Sequence, residues 1–357
     1  MQEAHIKAIY LDSASTTPIH KEIIKDVNTL MKDYYGNADS LHAMGQRVSG
    51  LVKQSRESLA KQLGVLPHEV IFTSGGSESN VSAIKGIAFA NPDKKHIIAS
   101  NVEHASVDDT LNQLETIFGY EVERLEVNKE GFVDVSKLKK ALRSDTVLVA
   151  MMAINNEIGS IFPVSEYAQV IKKYSSAYFH VDAIQAITKI PFDMKQIDTV
   201  SISAHKLGGL KGSGLLIKKD RVPFVPLIPS GQQEFGIRGG TLDSISAIVF
   251  SKTLRLAQED HDKHIKHIES LWKTLYNTFE KIQGIKITTP KNGTPYIFNL
   301  SIENVGSEIM MNALNSNGIY VSARSTCHSE SNKPSRVLKA AGLSDKEALS
   351  SIRISLS

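Results

Sequence analysis

The chain reads as an α/β protein: a large domain with a mainly parallel sheet flanked by helices, joined to a smaller α+β domain. Three observations predict it. Short β-branched runs alternate with longer stretches through the first two thirds of the sequence. In the longer stretches, apolar residues recur every three or four positions, as on one face of a helix. Past Leu242 the rhythm changes to a long helical region and then to isolated strands. The large domain is expected over residues 13–255, and the small one over 1–12 and 256–357.

In chain order, a helix is expected from Gly45 to Leu63 and strands at His96–Ser100 and Thr146–Met152. A second helix follows at Ser165–Tyr174, then strands at Tyr178–Val181, Thr199–Ser203 and Gly214–Lys218. The proline-rich Val222–Pro229 reads as an ordered loop leaving a strand. One long helical region, Leu242 to Phe279, is expected to connect the domains, with Trp272, Leu271, Leu275 and Phe279 in the core. Strands at Tyr296–Ile302, Gly318–Val321 and Ser351–Leu356 complete the small domain.

Composition narrows the class. With 41% hydrophobic and 22% charged residues over 357 positions, neither a disordered nor a fibrous chain is indicated. Basic and acidic residues number 41 and 38, too even a balance to suggest a nucleic-acid surface. The start, Met1 to Leu11, is polar, and the longest apolar run, Val147 to Ile154, is far too short to span a bilayer. A cytoplasmic protein is the expectation. The single cysteine cannot form an intrachain disulfide, so Cys327 is either an inert core residue or a reactive thiol.

Four segments carry candidate chemistry. In Ser201-Ile202-Ser203-Ala204-His205-Lys206-Leu207-Gly208-Gly209, a lysine at a strand end among glycines suits an amine that joins an aldehyde cofactor. Taken alone, a solvated surface lysine is the simpler reading. In His180-Val181-Asp182-Ala183-Ile184-Gln185, Asp182 could keep a pyridine nitrogen protonated, or could cap a helix. The turn Ser74-Gly75-Gly76-Ser77 before a helical run offers backbone amides to a phosphate, and equally to a simple cap. His104, just past the strand ending at Ser100, could stack on a ring and move protons. All four lie at strand ends, where open α/β sheets bind their ligands.

These segments, in this order, resemble the cysteine desulfurases, a group of fold-type I pyridoxal-phosphate enzymes within the class V aminotransferases. The likeness starts at Tyr10-Leu11-Asp12-Ser13-Ala14-Ser15-Thr16-Thr17-Pro18 and includes Gly36-Asn37-Ala38-Asp39-Ser40-Leu41-His42. It continues through Asn155-Asn156-Glu157-Ile158-Gly159 and Arg238-Gly239-Gly240-Thr241 to the final Ser351-Ile352-Arg353-Ile354-Ser355-Leu356. Nearly the whole chain is covered.

The resemblance implies Lys206 as the Schiff-base lysine, Asp182 at the ring nitrogen, His104 stacked on the ring and Gln185 at the ring phenolate oxygen. It implies Gly76, Ser77, Ser203 and His205 around the phosphate, with Thr241 reaching it from the second subunit of a homodimer. Asn155 and Arg353 would bind the substrate carboxylate, where a guanidinium offers paired donors. No metal is implied. His261, His264 and His267 share roughly one helix face, but the charged residues between them read as solvated surface.

Cys327 lies in Ser322-Ala323-Arg324-Ser325-Thr326-Cys327-His328-Ser329, a stretch without a large apolar side chain, so an exposed loop is expected. Arg324 and His328 would favour its thiolate. The resemblance implies that this thiolate takes sulfur from L-cysteine, leaving L-alanine and a persulfide. An acceptor protein serving iron-sulfur assembly, tRNA thiolation or thiamine synthesis would then receive the sulfur. Arg324 stands where the family usually has glycine, Thr326 replaces alanine, and Ala38 replaces proline. Relatives usually continue past the position of Ser357. Two other readings compete: an aminotransferase or selenocysteine lyase of the same fold, and a non-catalytic scaffold of a sulfur pathway.

Overall fold

The computed structural model describes residues 8–259, 261–323 and 333–357. Its strands, in chain order, are β1 (Ile9–Tyr10), β2 (Val70–Thr73), β3 (His96–Ser100), β4 (Glu121–Leu125), β5 (Thr146–Met152) and β6 (Tyr178–Asp182). They continue with β7 (Thr199–Ser203), β8 (Gly214–Lys218), β9 (Ile285–Ile287), β10 (Ile297–Ile302), β11 (Ile319–Tyr320) and β12 (Ser351–Ser355).

Seven strands form the main sheet in the order β2-β8-β7-β6-β5-β3-β4. Pairings from β7 through β4 are parallel, and β8 alone runs against both its neighbours. A parallel sheet is covered on both faces, which is why β5 reads as an unbroken apolar run with every residue buried. Alternate side chains enter opposite cores: Val149 and Met151 join the larger cluster, while Leu148 and Ala150 join a second with Ile97 and Ala99.

A three-stranded antiparallel sheet, β12-β10-β9, stands apart. β1 pairs with β11, so the start of the chain is sewn into its last third. β12 extends the stitching: the Ser355 N–H donates to Leu11 O at 2.8 Å, and Ala14 N–H to Ser355 Oγ at 2.9 Å.

Two helices depart from expectation. The first begins at Ala43, two residues early, because His42 Nδ1 accepts the Gly45 N–H at 3.2 Å and caps it. The region after Leu242 is two helices, Ser244–Gln258 and His261–Phe279, rather than one. Glu259 turns the backbone to the extended region (φ −63°, ψ 136°), ending the first. Leu271 is 39% exposed instead of buried, whereas Trp272, Leu275 and Phe279 pack on the core as expected. Among the described residues, no helix is long and apolar enough to cross a membrane.

Candidate active site

The parallel strands end together at Ser100, Met152, Asp182 and Ser203, and a cavity of about 200 Å³ opens at those ends. Its wall includes Gly76, Ser77, His104, Asp182, Gln185, Ser203, His205, Lys206 and Arg353. Nine residues singled out in the sequence, far apart along it, therefore share one cavity.

Lys206 closes a single 3-10 turn after β7. Its Nζ donates to the carbonyls of Ala14 at 2.5 Å and Ser15 at 2.7 Å, so the amine is aimed across the cavity floor. Asp182 ends β6 and is 6% exposed. Its Oδ1 accepts the Ile184 N–H at 3.0 Å and its Oδ2 accepts the Asn80 amide at 2.8 Å, so it both caps a turn and faces the cavity. No α-helix directly follows Asp182, so the cap expected from the sequence is a turn rather than a helix start.

Gln185 is fixed at both ends of its amide. Nε2 donates to Ala14 O at 2.9 Å, and Oε1 accepts from Lys189 Nζ at 2.8 Å. Burial pushes the Lys189 amine down to about 7, with the charges of Lys206 and Arg353 adding to the effect.

The turn before the helix Gly76–Ala90 places Gly75 at φ +152°, a conformation that favours glycine. A Cβ on Gly76 would come within 2.1 Å of Ile184 Cδ1, so the backbone itself forms the wall. Ser203 and His205 face it from β7 and the turn beyond. Burial, then the Lys206 and Lys211 charges, push the His205 imidazole down to about 4. It is neutral at pH 7, leaving the anion to the helix amides, the hydroxyls and a neutral ring.

Arg353, on β12, is 3% exposed. Its guanidinium donates to Asn156 O at 2.8 Å, Asp12 Oδ1 at 2.8 Å and Ser15 Oγ at 2.7 Å. Asn155 is fully buried behind Met152: its Oδ1 accepts the Glu157 and Ile158 N–H groups, and its Nδ2 donates to Val102 O and Met152 Sδ. Asn156, rather than Asn155, lines the cavity. Thr241 is exposed and lies outside this wall.

Cys327, with Arg324, Thr326 and His328, lies outside the described residues. The positions flanking that segment are tied to the site. Ser322 exchanges backbone hydrogen bonds with Arg353, and Ser335 Oγ donates to Glu157 Oε2 at 2.6 Å. Arg336 donates to the backbone carbonyl of Glu103 at 2.8 Å.

Sequence reasoning gave no role to Asn80, Lys189, Asp12 or Ser15. Asp12 and Ser15 stood inside a quoted motif and Asn80 just past another, where only spatial proximity reveals a partner. Lys189 had no local signal at all.

His261, His264 and His267 line a second cavity together with Lys189.

An amine, an acid, a fixed amide and a helix start thus face one cavity. That donor set fits a molecule with an aldehyde, a ring nitrogen, a ring oxygen and a phosphate.

Comparison with known proteins agrees. Residues 9–357 match the family described as aminotransferase class-V. A protein named cysteine desulfurase IscS from Dictyoglomus turgidum is 40% identical over 355 residues, covering 98% of this chain and 90% of that protein. Another of that name, from Methanosarcina thermophila, is 38% identical, covering 98% and 87%. A solved structure titled NifS-like protein superposes with a TM-score of 0.91 at 34% identity, covering 98% of this chain and 94% of the other. One titled SspA in complex with cysteine gives 0.85 at 31% identity, covering 97% and 98%.

Proposed function

Because the chain belongs to the class V aminotransferase family and, within it, to the pyridoxal-phosphate-dependent cysteine desulfurases, we propose that it moves sulfur from L-cysteine onto Cys327 and passes it to an acceptor protein. The observation that carries this reading is the convergence of Lys206, Asp182 and Arg353 on one cavity.

When bound, pyridoxal phosphate supplies an electron-accepting ring that stores the charge developing at the substrate carbon. Lys206 would hold its aldehyde carbon, Asp182 its ring nitrogen and Gln185 its ring oxygen, with His104 against the ring face. Gly76, Ser77, Ser203 and His205 would hold its phosphate, together with Thr241 supplied by a second copy of the chain.

Arg353 orients the substrate by its carboxylate, taking up an anion where Asp12 and Ser15 now accept. Lys206 Nζ takes the proton from the substrate carbon, and His104 moves a proton at the cleft. The Cys327 thiolate attacks the substrate sulfur: an S–S bond forms, the C–S bond breaks, and the carbon ends protonated as alanine. The balance is one cysteine and one thiol giving one alanine and one persulfide. A solved relative in complex with cysteine supports that substrate.

We further read the chain as a cytoplasmic homodimer with domains over 13–255 and over 1–12 with 256–357. Its acceptor serves iron-sulfur assembly or a tRNA or thiamine thiolation step. The test incubates the holoenzyme with cysteine, measures alanine and maps the persulfide by mass spectrometry. One extra sulfur on Cys327, and loss of alanine release in Cys327→Ala, are expected. Turnover that survives Cys327→Ala, with the substrate amine moved and the C–S bond kept, identifies an aminotransferase instead.

A further inference from the structure

Behind the cavity, a run of hydrogen bonds, buried at His180 and half-buried at His104, joins His180, Asn80, Ser106 and His104. Asn80 and His180 are both fully buried. Asn80 Nδ2 lies 2.8 Å from Asp182 Oδ2 and 2.9 Å from Ser106 Oγ, and its Oδ1 lies 3.0 Å from His180 Nε2. On His180, Nδ1 meets Thr199 Oγ1 at 2.9 Å. At the other end, His104 Nδ1 lies 2.8 Å from Ser106 Oγ and 3.1 Å from the Ser106 backbone nitrogen.

Chemistry orders the protons in this run. A carboxylate only accepts, so the Asn80 atom facing Asp182 is the amide nitrogen, and its oxygen must face His180. His180 therefore donates from Nε2. Burial pushes its imidazole down to about 3, so the ring is neutral and its bare Nδ1 accepts the Thr199 hydroxyl. The second Asn80 N–H goes to Ser106 Oγ. The Ser106 backbone N–H can only donate, and its acceptor is His104 Nδ1. That nitrogen carries a lone pair, and the Ser106 hydroxyl, already accepting from Asn80, turns its own hydrogen the same way.

We propose that the His180-Asn80-Ser106 run is a proton-ordering device that holds His104 as its Nε2–H tautomer, with Asn80 as the positioning residue. Resting as it does on the desulfurase reading of His104, it specifies which nitrogen delivers the proton. Nδ1 is committed to the start of the helix Ala105–Phe118, so transfer runs through Nε2. One fully buried amide thereby couples the group beneath the cofactor nitrogen to the group that moves protons at the cleft.

The test uses the pyridoxal-phosphate holoenzyme labelled with nitrogen-15 in histidine, with long-range proton-nitrogen correlation spectra assigned through His104→Gln and His180→Gln. Wild type is expected to show both rings protonated at Nε2. Asn80→Leu is expected to mix the tautomers of both rings and lower kcat about tenfold, with KM changed by less than about twofold. Ser106→Thr should recover at least about half of the kcat lost by Ser106→Ala, because it restores the hydroxyl.

A wild-type His104 protonated at Nδ1 overturns the device, and that measurement needs no variant to fold. Unchanged tautomers and unchanged kcat in Asn80→Leu overturn it as well. The spectra are taken without cysteine, so they fail separately from persulfide formation. A correct tautomer with no persulfide on Cys327 sinks the reaction, whereas a persulfide with the wrong tautomer sinks the relay.

Discussion

Glu103, next to His104, is 2% exposed, and its Oε1 accepts the Met152 N–H at 3.0 Å. Burial pushes its carboxyl up to about 8, and the negative Asp182 adds to that. It is a neutral acid at pH 7, which suits an Oε2 that has no hydrogen-bond partner among the described residues. The sign for stability follows. Between the ordinary value of 4.5 and about 8, the folded chain keeps a proton that the unfolded chain has lost. Stability from this group is full below the lower value and falls as pH rises toward the upper one. Glu103→Gln cannot titrate, so its unfolding free energy should fall less than wild type between about pH 5 and about pH 8. Equal falls in urea titrations would refute the neutral acid. Lys189 supports a second prediction, since its amine fixes the Gln185 amide. Lys189→Met should weaken pyridoxal-phosphate binding by about tenfold, the size of one lost buried hydrogen bond, as read by coenzyme titration. An unchanged affinity would leave Lys189 no part in orienting Gln185.

At the scale of elements, the loop leading to Thr241 is held by an ion pair of unusual burial. Arg56, on the helix Ala43–Leu63, donates two bonds to Glu234, and the Phe72 N–H donates to the same carboxylate at 2.7 Å. The guanidinium also lies 4.6 Å from the Phe72 ring centroid and 5.0 Å from that of Phe235. These contacts hold Glu234 and Phe235 at φ +48° and +59°, where side chains other than glycine are strained. Arg56→Met leaves a buried carboxylate without its cation and should lower stability by roughly 3 kcal/mol in urea unfolding. A loss under about 1 kcal/mol would mean that solvent reaches the pair. None of this was legible in the sequence, where Arg56 and Glu234 are ordinary charges far apart. Five strands of the main sheet were legible, almost to the residue, because short β-branched and apolar runs stand out between the longer helical stretches. β4 escaped because its Glu-Val-Glu-Arg-Leu alternates as an edge strand does. The break after Gln258 escaped because helical periodicity continues across it.

For the whole molecule, the candidate site was legible in its parts but not in its bonds: motif order named Lys206, Asp182, Gln185 and Arg353, while Asn80 and Lys189 required the fold. The surface carries its own signal. Leu41 is 89% exposed, Tyr35 68% and Phe235 56%, and Gln233 donates to Asp39 at 2.9 Å, so these apolar groups share one face with the loop that ends at Thr241. A homodimer burying that face would bring Thr241 to the partner's cavity. Leu41→Glu should shift the sedimentation of the holoenzyme from dimer toward monomer and lower its coenzyme affinity together; a dimer undisturbed by this charge would move the interface elsewhere. The stitching of the two chain ends has a consequence for biosynthesis. Arg353 and Asp12 are partners across 341 positions, so a growing polypeptide on the ribosome has Lys206 and the main sheet long before it has the arginine that receives substrate. Translation thus withholds catalytic competence until Arg353 has been added, and a nascent product that lacks it has no guanidinium to receive the substrate.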